Sequence, residues 1–184
     1  MELEGVEIED TFAEAFPIKV ARVLITAVNE KWAMEAAKET TGFGTSVIGC
    51  PAEAGIDKIV SSDETPDGRP GVAIIICHFK KDGVKGQLLG RLGQCVMTAP
   101  TASMFNGLEV EEKLPIKLQF FGDGFEYEKE VGGHKVWAVP IMGGEFIFEE
   151  EYGVKAGVAG GNLFILAKDQ MSALTAAEEA VSAI

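Results

Sequence analysis

Basic residues are scarce in this chain: 16 lysines and arginines stand against 29 aspartates and glutamates, a net charge of -13 over 184 residues. None of the basic residues cluster. Nucleic acids are held through phosphate contacts on a basic face, so this balance argues against a nucleic-acid partner, and an anionic membrane would repel the chain for the same reason. Cysteine is equally sparse. Cys50, Cys77 and Cys95 are odd in number and widely spaced, with no C-x-x-C pair, which argues against a disulfide framework and a zinc site. All three lie in or beside apolar runs and read as small buried hydrophobes in a reducing compartment. His78 and His134 lack a third ligand for a catalytic metal, so no metal is expected, and His78 on an apolar strand reads as a core residue. The opening MELEGVEIED has neither the basic start nor the apolar stretch of a signal peptide, and no apolar run is long enough to span a bilayer; the expected location is cytoplasmic.

What is present is material for a core. Hydrophobic residues make up 47% of the chain, enough for one large domain or one and a fraction. Residues 18–27 (IKVARVLITA) are β-branched and apolar and predict a central strand. Asn29 then caps a helix whose inner face is Trp32, Ala33, Ala36 and Ala37 and which stops at Thr41 and Gly42. A short strand is expected at Thr45–Gly49, followed by a long connection, 50–71. Three prolines and several glycines in that connection, with Ile56, Ile59 and Val60 to bury, predict an ordered lid or binding wall. Residues 71–78 (GVAIIICH) predict a further central strand, 84–98 a helix with Leu88, Leu92 and Val96 inward, and 116–121 a fourth strand. Strand, helix, strand, strand, helix, strand is the split β-α-β order of ferredoxin-like α+β folds, an antiparallel sheet with both helices on one face. A hairpin at 126–139 turning at Gly132 and Gly133 and a strand at 145–149 follow.

The tail repeats the beginning. Laid over the start, it pairs Ile25 with Ile165, Ala27 with Ala167, Ala33 with Ala173, Ala36 with Ala176, and the cap Asn29 with Asp169. Residues 1–142 are therefore expected to form a first lobe and 143–184 the incomplete start of a second of the same kind, with the repeated strand-helix element from Asn162. The glycine pairs at 42–44, 143–144 and 157–161 each read as preceding a strand. Phosphate cradles lie between a strand and a helix, so a nucleotide site is not expected there.

Several long runs in order carry a resemblance. IEDTFAEAFP at 8–17, CPAEAGI at 50–56, TPDGRPG at 65–71, LGQCV at 92–96, FFGDG at 120–124, PIMGGEF at 140–146 and GVAGGN at 157–162 closely resemble formylmethanofuran:tetrahydromethanopterin formyltransferases. The resemblance implies two ferredoxin-like lobes and a homo-oligomer built as a dimer of dimers. It implies no metal, no tightly bound cofactor, and reversible formyl transfer between two small C1 carriers, formylmethanofuran and tetrahydromethanopterin. It also implies that the carboxylic acid proposed for proton transfer in the family lies beyond Ile184, which leaves a second expectation, a catalytically silent binding or assembly subunit. A small regulatory domain binding an amino acid or nucleotide fits the topology but not the matching runs. From those runs come the candidate catalytic carboxylates Glu53, Asp123 and Glu145 and the candidate substrate-binding residues Asp67, Arg69 and Gln94.

Overall fold

The computed structural model describes residues 1–9, 15–42, 50–160 and 164–183. Strands β1 (Glu2–Leu3) and β2 (Val6–Glu7) form a small hairpin. Its two turn residues, Glu4 and Gly5, are both left-handed, the backbone that matches strand twist in a two-residue hairpin. There follow β3 (Phe16–Thr26), α1 (Glu30–Thr41), β4 (Glu53–Val60), β5 (Gly71–His78), α2 (Lys81–Arg91), β6 (Ser103–Asn106), β7 (Lys113–Pro115), β8 (Tyr127–Val131), β9 (His134–Ile141), β10 (Gly144–Phe148), β11 (Glu151–Ala159) and α3 (Gln170–Ser182). The chain divides into two compact units, Pro17–Gly157 and a smaller one made of Met1–Phe16 and Val158–Ile184.

In the larger unit the strand order is β4-β5-β3-β6-β10-β9-β8. The first four strands run antiparallel to one another, with α1 linking β3 to β4 and α2 linking β5 to β6. That is the expected interleaved β-α-β arrangement. β10 joins it through the one parallel pairing described, Phe148 beside Met104, and β8 to β10 run on as an antiparallel meander. Alternation along β3 assigns the faces. Ala21, Val23 and Ile25 are buried with Ala33, Ala36 and Ala37 of α1 and Val84 and Leu88 of α2, so both helices cover one face. Leu24 points the other way, packing with Val60, Ala73, Phe105 and Val136. This second, thinner face leaves the room in which polar groups gather.

Local signals explain the elements that were legible. β3 and β5 are buried over most of their length, so both faces demand apolar residues. Asn29 accepts from Trp32 N at 3.0 Å and caps α1. Removing that acceptor in Asn29→Ala is expected to cost about 1 kcal/mol of unfolding free energy in a urea titration, as one helix amide loses its partner.

Four expectations change. The connection 50–71 is not a loop throughout, because Glu53–Val60 is edge strand β4; its register shifts between Ile56 and Lys58, and a bulge there breaks the period-two pattern by which a strand is read. The strand expected at 116–121 is absent. Ser103–Asn106 takes its place beside β3, while Ile116 and Leu118 are buried from irregular backbone and Gln119–Gly122 forms a 3-10 turn. The second helix begins at Lys81, and after Arg91 it loosens into a π-helical turn, Leu92–Val96. Gly157 lies inside β11 rather than before a strand. The strand expected at 45–49 lies outside the described residues.

In the smaller unit Asp169 caps α3 by accepting from Ser172 N at 2.9 Å, matching Asn29 on α1, but residues 164–167 form no strand. An extended segment needs a neighbouring strand for its backbone groups, and none of the described residues pairs with this one. The boundary expected at 142/143 falls within the turn of the β9-β10 hairpin, and β10 pairs on both sides within the larger unit.

Candidate functional site

Two polar clusters stand out, one at an end of the sheet and one on its thinner face. The first is built on Arg69. Thr65 to Gly68 close a tight turn, with Gly68 N donating to Thr65 O at 3.3 Å, Pro66 at its second position and glycine at its fourth, the residues such a turn favours. Asp67 Oδ1 then accepts from Arg69 N at 3.2 Å, and Asp67 Oδ2 accepts from Arg69 Nε at 2.8 Å and from Thr26 Oγ1 at 2.6 Å. The guanidinium also donates to Thr101 O at 2.6 Å, Ser103 Oγ at 2.6 Å and Thr26 Oγ1 at 3.2 Å. Arg69 thus ties the end of β3, the start of β6 and the loop before β5 into one brace. With the Asp67 side chain 8% exposed and that of Arg69 29%, the pair is shielded enough for its hydrogen bonds to be strong. Of the six candidates, these are the two that the structure pairs directly.

The other four stand apart from that brace. Glu53 opens β4, where its carboxylate accepts from the Cys50 thiol at 3.5 Å. Gln94 is exposed in the π-helical turn beside a cavity of ≈300 Å³ that Glu39, Gln87 and Arg91 also line. Asp123 is exposed and left-handed at the end of the 3-10 turn, flanked by the exposed rings of Phe120, Phe121 and Phe125. Glu145 on β10 is gripped by the Tyr127 hydroxyl and the Lys129 ammonium. The thiols of Cys77 and Cys95 are pushed up by burial, which keeps them from acting as thiolates.

The second cluster was not anticipated. A cavity of ≈620 Å³ is bordered by Glu109, Lys113, His134, Trp137, Glu149 and Glu150. Another of ≈290 Å³ is bordered by Arg22, Lys58, Glu64, Pro66, Glu109 and His134. Glu109 and His134 line both. Glu64 and Pro66, from the connection 50–71, border the smaller of them. His134 Nδ1 lies 2.8 Å from Glu149 Oε1, and Phe105 meets the imidazole edge-on at 6.2 Å. Below them Asn106 has both ends of its amide satisfied: it donates to Glu109 Oε1 at 2.7 Å and Leu108 O at 3.0 Å and accepts from Gly153 N at 2.9 Å. The signal that could have revealed this cluster is the meander. Register carries Trp137 opposite Phe148, which brings His134 and Glu149 to the same end of neighbouring strands. Among the described residues no group of three or more His, Cys, Asp or Glu is arranged to hold a metal ion.

Burial raises the Glu149 carboxyl above its ordinary range, against the opposing pull of His134. A carboxyl raised in the folded state holds its proton longer there than in the unfolded chain. Its contribution to stability is complete below the unfolded pKa and is lost as pH rises through the folded value. In urea titrations stepped from about pH 4 to pH 7, the stability of Glu149→Gln relative to the parent is therefore expected to improve as pH rises.

Residues 1–141 match the family model described as formylmethanofuran-tetrahydromethanopterin formyltransferase, and residues 144–184 match the model of its proximal lobe. Formylmethanofuran–tetrahydromethanopterin formyltransferases of Methanosarcina acetivorans and Methanopyrus kandleri are 63% and 60% identical over the whole chain. The solved enzyme of Methanosarcina barkeri is 60% identical with a TM-score of 0.94, covering 99% of this chain and 62% of its own. A formyltransferase/hydrolase complex of Methylorubrum extorquens, solved with methylofuran, is 45% identical with a TM-score of 0.93, again covering 99% of this chain and 62% of that one. This chain spans 63% of the length of the M. acetivorans relative. Matched along its described length by sequence and by fold, the chain belongs to the formylmethanofuran–tetrahydromethanopterin formyltransferase family.

Proposed function

We propose that this chain takes part in reversible transfer of a formyl group between formylmethanofuran and tetrahydromethanopterin, in archaeal or methylotroph one-carbon metabolism. The observation that carries the reading is identity of 60–63% with archaeal formyltransferases along the entire chain. Moving a formyl group from an amide nitrogen to an amine passes through a tetrahedral oxyanion. That requires hydrogen-bond donors aimed at the oxygen, a base for the incoming amine and an acid for the leaving one. The donor carrier brings the C1 unit and the acceptor carrier takes it away, so the reading calls for no tightly bound cofactor. Glu53, Asp123 and Glu145 remain the proposed carboxylates, with Asp67, Arg69 and Gln94 as the proposed substrate wall. In the same reading residues 1–142 are a first lobe and 143–184 the start of a second. The family likeness further favours a cytoplasmic homo-oligomer, a dimer of dimers, and no helix among the described residues is long and apolar enough to cross a membrane.

The second reading is a silent subunit, which holds a substrate or an assembly contact without completing the chemistry. Purified chain mixed with formylmethanofuran and tetrahydromethanopterin separates the two. Formyl-tetrahydromethanopterin formed in proportion to protein supports transfer; binding of either carrier without product overturns it for this chain.

A further inference from the structure

We propose that the Asn106-Gly107 pair is a modification site held shut by the fold, where the unfolded chain loses ammonia from the asparagine amide and with it the way back to the native state. Of the three asparagines, Asn29 is followed by Glu30 and Asn162 by Leu163, whereas Asn106 is followed by glycine. Glycine has no Cβ to shield its backbone nitrogen and lets the chain bend freely. In a loose chain that nitrogen reaches the side-chain carbon of the residue before it.

Packing explains why so labile a pair stands here. A Cβ at position 107 would lie 3.1 Å from Arg22 Cγ and 3.2 Å from Arg22 O, so the close passage of β3 favours glycine. Position 106 calls for an amide. Its nitrogen donates to Glu109 Oε1 at 2.7 Å and Leu108 O at 3.0 Å, and its oxygen accepts from Gly153 N at 2.9 Å and Leu108 N at 3.2 Å. A planar group that donates at one end and accepts at the other is found in asparagine and glutamine side chains, and asparagine is the shorter of the two.

The native structure blocks the reaction at three points. Asn106 ends β6 and pairs with Val23, and this extended backbone must be released before a five-membered ring can form. Gly107 N donates to Arg22 O at 2.9 Å, which keeps on the nitrogen the proton it must lose to attack. Asn106 is 6% exposed, and its pinned amide cannot turn toward that nitrogen. Once the chain opens, the Gly107 nitrogen attacks Asn106 Cγ. The new C–N bond forms as the bond to Nδ2 breaks, and ammonia leaves with the proton given up by the attacking nitrogen. Water then opens the ring. Cleavage at Cγ leaves aspartate, and cleavage at the backbone carbonyl leaves isoaspartate, whose main chain is longer by a carbon; nothing is oxidised or reduced.

Neither product fits the native site. A carboxylate only accepts, so an aspartate here would turn an anionic oxygen onto Leu108 O and onto Glu109, whose carboxyl the Asn106 amide holds below its ordinary range. Like charges in a buried place then stand where a hydrogen bond was. Isoaspartate instead displaces Gly107 from Arg22 O. Unfolding that would be reversible for a short time becomes permanent as the unfolded chain is modified.

The test uses the intact chain, kept reduced, in native buffer and in guanidinium chloride at one temperature and one mildly alkaline pH. Samples are digested at intervals, and the amide-to-acid mass increase is followed in the peptide carrying residues 106 and 107, with the Asn29 and Asn162 peptides as references. Conversion at Asn106 is expected to outpace both references in denaturant and to be at least about 10-fold slower in native buffer, where ring closure is confined to opened molecules. A smaller difference between the two conditions overturns the protection, and references that convert as fast as Asn106 in denaturant overturn the choice of site. Partly converted chain is then returned to native buffer and separated by size. Converted Asn106 is expected to concentrate in the fraction that has not refolded, and an even distribution overturns the lost way back. Asn106→Asp supplies one product directly. It is expected to lower the guanidinium midpoint or to prevent folding, and a parent-like midpoint overturns the clash with Glu109.

Discussion

Arg69→Ala is expected to lower the unfolding free energy by about 4 kcal/mol, close to the cost of removing one partner from a buried ion pair. The size follows from what is left behind. Asp67, with its side chain 8% exposed, would keep a charge in a poorly hydrated place with only the Thr26 hydroxyl and the backbone amide of residue 69 to answer it. Thr101 O and Ser103 Oγ would lose the donor that ties the start of β6 to the loop before β5. Arg69→Lys should recover little, because an ammonium is a compact donor group and cannot reproduce a fork that reaches Asp67, Thr26, Thr101 and Ser103 at once. Urea unfolding followed by tryptophan fluorescence measures both variants; a loss under about 1 kcal/mol for alanine, the range of exposed pairs, would show that the brace is solvated rather than structural.

Gly153→Ala is expected to cost about 3 kcal/mol or more, at or beyond the upper end of ordinary overpacking. A Cβ built there would sit 1.8 Å from Leu108 O, and a backbone oxygen cannot rotate away as a side chain can. The strand would have to shift, which would break the 2.9 Å bond from Gly153 N to Asn106 Oδ1 and unsettle the amide network beneath His134. Gly55→Ala is the matched control. It lies in β4 with nothing within 4 Å of its added Cβ, so a result near neutral or slightly stabilising is expected. Equal losses for the two variants would show that strand glycines, rather than this contact, set the penalty.

What the amino acids disclosed depended on how continuous each signal was. β3 and β5 lie in the middle of the sheet between apolar layers, so residues 71–78 and 18–27 announce themselves as apolar runs, the second broken only by Lys19, Arg22 and Thr26. α1 and α3 were legible because Asn29 and Asp169 each accept from the third residue onward, a local bond that needs no tertiary context. β6 was hidden by its length of four residues and by the polar Ser103 and Asn106, which are buried because their partners come from Arg69 and Gly153. The candidate site divides along the same line. Asp67 and Arg69 are two residues apart and meet within one turn, whereas His134 and Glu149, fifteen residues apart, meet only once the β9-β10 hairpin has folded back on itself. That contact becomes readable only once the register of the hairpin is known.

The two ends of the strand order have a consequence for how this protein behaves when concentrated. β4 and β8 terminate the sheet, and a bare strand edge invites another molecule to add a rung. β8 carries YEKEV, three charges among five residues, and β4 is kinked at its bulge, with Asp57 drawn onto Arg22 and Lys58 alongside. A flat docking strip is thereby denied to a stray copy despite the exposed Ile56 and Ile59. Straightening β4 by deleting Asp57 would remove the kink and the charge together, and turbidity on standing should rise well before the folded core loosens.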